Sequence, residues 1–261
     1  MSSTSVPRPK LRKITHSKYI DVFGAVLILG VCLYRNFHET IYHNGGIQFG
    51  IPFSELGDYI AKGAFPLGFL SIAGAMFSLL STRLMVRQQN FGNVIWIFTT
   101  INSGTIDYLL GNTSAILTYP ITFGLALLST KKWYGGERIK KADTLYFALS
   151  ALAFVVSYSL VYLGFYLFPS ATDVVSPFFK HSIAIIFGIS LIGNVGIAFK
   201  YEESFFVWFI YNIMQLLKNA LQGNIANVVK YVFYMGNAIL TYFDWSINGD
   251  VKKQEFSKNA T

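Results

Sequence analysis

Charge is scarce in this chain: 13% of its 261 residues are Asp, Glu, Lys or Arg, about half the share of an ordinary soluble domain. Cysteine is scarcer still. Cys32 is the one thiol, so an intrachain disulfide and a cysteine-based metal site are both excluded. The histidines His16, His38, His43 and His181 are scattered near segment ends and offer no metal-binding spacing. The chain has no HExxH, no GxSxG and no glycine-rich phosphate loop followed by Lys, so nothing points to an enzyme, a resident metal or a cofactor.

Apolar residues are what it has in plenty. The composition is 53% hydrophobic and 17% aromatic, with a mean hydropathy of +0.45, too apolar for a soluble domain of this size. Stretches long enough to cross a bilayer, about 20 residues each, recur along the chain and leave no room for a separate soluble domain. Expected spans are Tyr19–Asn36, Ala64–Thr82, Phe91–Leu110, a fourth from the Gly111-Asn112 turn to Ser129, Thr144–Phe168, Ser182–Phe199, Phe205–Leu221 and Ala226–Trp245. The glycine-rich stretch around His43 and Gly46 reads as irregular. The first apolar run follows a basic segment but has no small-residue cleavage site after it, so it is a retained helix.

The net charge of +8 comes from short basic clusters beside apolar segments, which is membrane topology rather than nucleic-acid binding. Arg83, Arg87, Lys131, Lys132 and Lys200 fall at ends that an alternating path puts on one side. This implies a multi-pass cell-membrane protein with both termini cytoplasmic and with Asp58, Lys62, Asp173 and Asn224 outside.

The segment ending at Trp133 repeats without a gap in the segment ending at Trp245. Trp96 falls on Trp208, Gly111 on Gly223, Asn112 on Asn224, Tyr119 on Tyr231, Gly124 on Gly236 and Trp133 on Trp245. The matched helices run in the same direction, so the repeat is parallel. Two three-helix bundles joined by a linker helix, a 3+1+3 layout with an extra peripheral N-terminal helix, follow from it. The corresponding units are residues 1–63, 64–133, 134–177, 178–245 and a cytoplasmic tail 246–261.

The order of elements, the Trp208-x-x-x-Asn212 pattern, Pro120 in the fourth helix and the Asn237 to Trp245 ending resemble the PnuC family of vitamin B3 precursor transporters, of SWEET-like fold, over about Ala64 to Trp245. The resemblance implies uptake of nicotinamide riboside by facilitated diffusion. Phe205 stands where the family commonly has Trp, and Thr122 where it has Gln. Another vitamin or nucleoside, such as thiamine or a deoxynucleoside, therefore stays open, as does a non-transporting assembly subunit; homo-oligomerisation is also open.

Polar side chains in membrane helices usually face protein or a wet cavity. Trp208, Tyr211, Asn212, Gln215 and Asn219 recur at three- and four-residue steps, as do Lys230, Tyr234, Asn237, Thr241 and Trp245, and Trp96, Thr99, Thr100, Ser103 and Asp107. These stripes imply a shared interior surface that suits a small aromatic amide on a sugar: rings stack a flat, cationic heterocycle, and amides match hydroxyls or a carboxamide. The expected substrate-binding residues are Trp96, Thr100, Thr122, Trp208, Tyr211, Asn212, Gln215, Tyr234 and Asn237. Asn237→Leu is expected to weaken binding and leave the protein stable. Trp133 and Trp245 read as interfacial anchors, Lys218 and Lys230 as snorkelling, Asp107 as solvated or paired, and Gly124 and Gly236 as sites of bending or close packing.

Overall fold

The computed structural model describes residues 9–135, 138–169 and 176–248. Asp173 and the tail beyond residue 248 lie outside the described residues. A short helix α1 (Pro9–Thr15) leads into α2 (Lys18–Tyr34), followed by a hairpin of β1 (Ile41–His43) and β2 (Gly46–Gln48) and a short α3 (Leu56–Ala61). Long helices follow: α4 (Leu67–Val86), α5 (Phe91–Leu109), α6 (Ala115–Tyr134), α7 (Thr144–Leu167), α8 (Pro177–Ala198), α9 (Ser204–Leu221) and α10 (Ile225–Asn248). Each expected span is a helix. The stretch expected to be irregular is instead a two-stranded antiparallel hairpin, because Asn44 and Gly45 take φ of 51° and 79° and form the two-residue turn that Asn-Gly favours.

Local chemistry sets the helix ends. Ser17 and Ser176 cap α2 and α8 by accepting from Tyr19 and Phe179 amides, and Pro177 sits in the first turn of α8. Asp143 caps α7 through the Tyr146 amide and also accepts the Tyr201 hydroxyl at 2.7 Å. The Tyr201 hydroxyl, and after it the Tyr146 amide, holds this carboxyl below the usual carboxylate range.

The turns repeat where the sequence does. Gly111 and Gly223, which align in the repeat, have φ of 95° and 71°, and in each turn the next residue's amide reaches back five positions: Asn112 to Asp107 and Asn224 to Asn219, both at 3.0 Å. In the same register Gln88 and Lys200 are both left-handed, with φ of 58° and 54°. Gln89 then donates to the Leu84 carbonyl and Tyr201 to that of Gly196. Packing follows suit, with α4 against α5 and α5 against α6, α8 against α9 and α9 against α10, and cross-contacts of α6 with α8 and of α10 with α4.

Large apolar side chains such as Phe77, Phe98, Phe147, Val155, Phe206, Val232 and Phe243 point outward, while Asn93, Asn112, Asn194, Asn212, Asn224 and Asn237 are buried. An apolar exterior around a polar interior is the arrangement a bilayer selects. Four helical segments, Lys10–Tyr34, Leu67–Val86, Thr144–Leu167 and Pro177–Ala198, are long and apolar enough to cross a membrane by length and composition. The remaining long helices, α5, α6, α9 and α10, have their apolarity diluted by the polar stripes.

The N-terminal helix is more than a peripheral addition. Arg83, 1% exposed near the end of α4, donates through Nε to Asp21 of α2 at 2.5 Å, to the Thr15 carbonyl and to Oδ1 of Asn237 on α10. Arg87 also pairs with Asp21, and His16 lies 3.3 Å from Asp244.

Candidate functional site

Helices α4, α5, α6, α8, α9 and α10 enclose a cavity of about 170 Å³. That is comparable to the roughly 150 Å³ that accommodates a benzene ring in an apolar core. Trp96, Thr100, Thr122, Trp208, Tyr211, Asn212, Gln215, Tyr234 and Asn237 all line it. Sequence reading had no signal strong enough to add Ser78 from α4, Tyr119 from α6 or Ser190 and Asn194 from α8, which also line it. Of these, the i,i+4 spacing of Ser190 and Asn194 in an apolar helix was the available clue.

The aromatic wall is built on α9. Trp208 and Tyr211 meet edge to face at 4.8 Å and 89°. Gly193 of α8 makes room for the indole, since a Cβ there would lie 2.9 Å from the Trp208 ring. Gly104 serves Tyr119 in the same way, at 2.8 Å. At Gly124 and Gly236, by contrast, a Cβ would meet nothing within 4 Å, so close packing is not their role.

The polar groups differ in how far they are occupied. A relay runs from Asn227 to Oδ1 of Asn219 (3.0 Å), from Asn219 to Oε1 of Gln215 (3.0 Å), and from Gln215 Nε2 to the Tyr211 hydroxyl (2.8 Å). Tyr234 donates to Ser78 at 3.0 Å, Thr100 to the Trp96 carbonyl at 2.8 Å and Thr122 to that of Thr118 at 3.4 Å. The Asn237 oxygen is taken by Arg83. Asn212, 3% exposed, has a carboxamide that makes no hydrogen bond among the described residues, and the indole N–H groups of Trp96 and Trp208 donate none there either.

Asp107 is a paired carboxylate: it accepts Lys218 Nζ at 2.6 Å, Asn112 at 2.7 Å and the Tyr119 hydroxyl at 3.4 Å. Lys218 and Lys230 therefore do not snorkel. Lys218 is engaged by Asp107, and Lys230 is 5% exposed because its face of α10 turns toward α9 and the cavity. Trp133 and Trp245 are not interfacial anchors either. They are 6% and 2% exposed, and each indole donates to a backbone carbonyl of another helix.

An apolar-faced helical protein with an aromatic and amide-lined chamber between its helices is, by class, a membrane transporter of small molecules. The nicotinamide mononucleotide transporter family model matches residues 68–247, and the chain belongs to that family. A solved structure, the crystal structure of the vitamin B3 transporter PnuC, is similar with a TM-score of 0.57 at 13% identity, over 86% of this chain and 90% of that one. At that identity the likeness establishes a shared fold. Comparison with curated protein sequences finds no match.

Proposed function

We propose that the chain carries a nicotinamide riboside-like pyridine nucleoside across the cell membrane by facilitated diffusion. The observation that carries this reading is the unpaired Asn212 carboxamide, one helical turn from Trp208, in a cavity where Gln215 and Asn237 are engaged by protein partners. Trp208 stacks the flat ring and Asn212 binds its polar edge, with Trp96, Thr100, Thr122, Tyr211, Gln215, Tyr234 and Asn237 completing the wall. The family name supports the same substrate class.

The helices form two three-helix bundles, α4 to α6 and α8 to α10, linked by α7. The matched left-handed turns and the reciprocal contacts of α6 with α8 and α10 with α4 support this. Rocking of the bundles about the cavity would expose it to each side in turn. Both termini face the cytoplasm on the distribution of basic residues. Cys32 is fully buried, so single cysteines at Lys62 and Gly135 give a clean labelling test. Labelling of Lys62→Cys only from inside reverses the orientation.

Uptake of radiolabelled nicotinamide riboside and nicotinamide mononucleotide into proteoliposomes tests the function. Saturable uptake of at least one is expected. No saturable uptake of either leaves the polar stripes as helix-to-helix contacts only.

A further inference from the structure

Asn237 stands in the cavity wall, and Arg83 stands behind it. The buried guanidinium spreads three branches: Nε to Asp21, Nη2 to the Thr15 carbonyl and Nη1 to Oδ1 of Asn237. Arginine has no acceptor, so the Asn237 carboxamide can meet it only with its oxygen. The other branch, the N–H2, is thereby turned away from Arg83 on a residue that lines the cavity, and it makes no hydrogen bond among the described residues. Gln215 differs, because Asn219 holds its oxygen and its N–H2 is given to Tyr211.

Neither the charges nor the repeat call for an amide at this place. Arg83 and Arg87 share one carboxylate, Asp21, so an aspartate at position 237 would balance the cluster better and accept the same bond. What asparagine adds is a donor. In the register that pairs the left-handed Gln88 and Lys200, Arg83 falls on Val195 and Asn237 on Leu125. The matching contact of α6 with α8 is therefore made with apolar side chains at these two positions, and the architecture does not require the polar pair. Resting on the pyridine-nucleoside reading above, we propose that Arg83 is a positioning residue that locks Asn237 as a hydrogen-bond donor to the cavity, where it serves the carbonyl oxygen of the substrate's carboxamide. The guanidinium draws on the Asn237 oxygen and makes the N–H2 a stronger donor. Asn212, which has no protein partner to fix it, is left to take the carboxamide's own N–H2. The wall then selects by the polarity of one group, binding an acceptor opposite Asn237 and rejecting a poor one.

The test is equilibrium binding to purified wild type, Asn237→Asp and Arg83→Lys, with thermal unfolding of each. The ligands are nicotinamide riboside and thionicotinamide riboside, in which a weakly accepting sulfur replaces the carbonyl oxygen. Both carry the same charge, so the ratio of their affinities cancels any effect of the new carboxylate on a cationic ring. Wild type is expected to bind nicotinamide riboside about tenfold tighter than the thioamide, the scale of one hydrogen bond. Asn237→Asp keeps an oxygen for Arg83 but turns an acceptor to the cavity, so it should unfold at no lower temperature while the ratio falls to about one. In Arg83→Lys a single ammonium cannot hold the whole fork, and the ratio should shrink although residue 83 touches no ligand. A tenfold ratio that persists in Asn237→Asp, or that wild type lacks, overturns the assignment, and binding of nicotinamide riboside by wild type then leaves the transport reading in place. Binding of neither ligand by wild type removes both.

Discussion

Trp133 and Trp245, which match in the sequence repeat, each donate an indole N–H to the end of a neighbouring helix. Trp133, at the end of α6, donates its indole N–H to the Ile197 carbonyl near the end of α8 at 2.9 Å. Trp245, late in α10, donates to the Val86 carbonyl at the end of α4 at 3.2 Å. The two rings lie 6.3 Å apart. Positions that match in the sequence repeat thus make matching contacts to helices that also match.

Trp133→Ala and Trp245→Ala should each lower stability by about 3–5 kcal/mol, the usual result of emptying a buried indole site. Ligand affinity should change little, because neither residue lines the cavity. Thermal unfolding in detergent beside a binding isotherm separates the two effects. Phe at either position should recover most of the stability, losing the hydrogen bond at about 1 kcal/mol.

Trp208→Ala should weaken ligand binding by about 1–3 kcal/mol, the range for a base stacked on an aromatic side chain. Gly193→Ala offers a gentler version. Its added methyl would press on the Trp208 ring and tilt it without deleting any atom of the wall. Both variants should lose affinity for nicotinamide riboside or nicotinamide mononucleotide in the same order in which they displace the ring. Wild-type affinity in both would remove stacking on Trp208 from the proposal.

Asn212 and Asn237 should behave differently, contrary to the expectation from spacing alone. Asn212→Leu removes a carboxamide that makes no hydrogen bond among the described residues, so binding should fall while the unfolding temperature holds. Asn237→Leu strips a hydrogen bond from Arg83, a buried guanidinium, and should lower stability by about 1–3 kcal/mol. Melting curves for the two variants are the direct comparison. A larger loss of stability in Asn212→Leu would contradict this assignment.

Asp21→Asn should detach α2 from α4 in part, since Asp21 accepts from both Arg83 and Arg87. The side chain of Asp21 is 28% exposed, which places the loss at about 1–3 kcal/mol rather than at the fully buried limit. Thermal unfolding and faster proteolysis between α1 and α2 are the expected readouts.

The helices were legible because their punctuation is local. Ser17, Asp143, Ser176 with Pro177, and the glycines Gly111 and Gly223 announce their roles within a few residues. The cavity wall was legible for the related reason that polar spacing on a helix defines a face. What escaped depends on partners far along the chain. Arg83 read as a topology charge, and its acceptors include Thr15 and Asn237. Lys230 read as a residue near a helix end, with nothing local to say which way that end turns. Trp133 and Trp245 beside charged termini look like lipid anchors until helices α8 and α4 arrive to cover them. The hairpin is a different failure: the Asn44-Gly45 turn was visible but stood between strands of three residues, too short to register as a pattern.

Arg83 joins the N-terminal segment to the chamber wall through a single guanidinium, with Asp21 and Thr15 on one side and Asn237 on the other. Thermodynamic reciprocity then applies to the two attachments. A solute that drew the Asn237 oxygen away from Arg83 would loosen α2 by the same factor by which a firmly clamped α2 weakens that solute. Residues 9–34, easily discarded as an appendage when a shortened chain is prepared, are for that reason part of what sets the affinity one would measure.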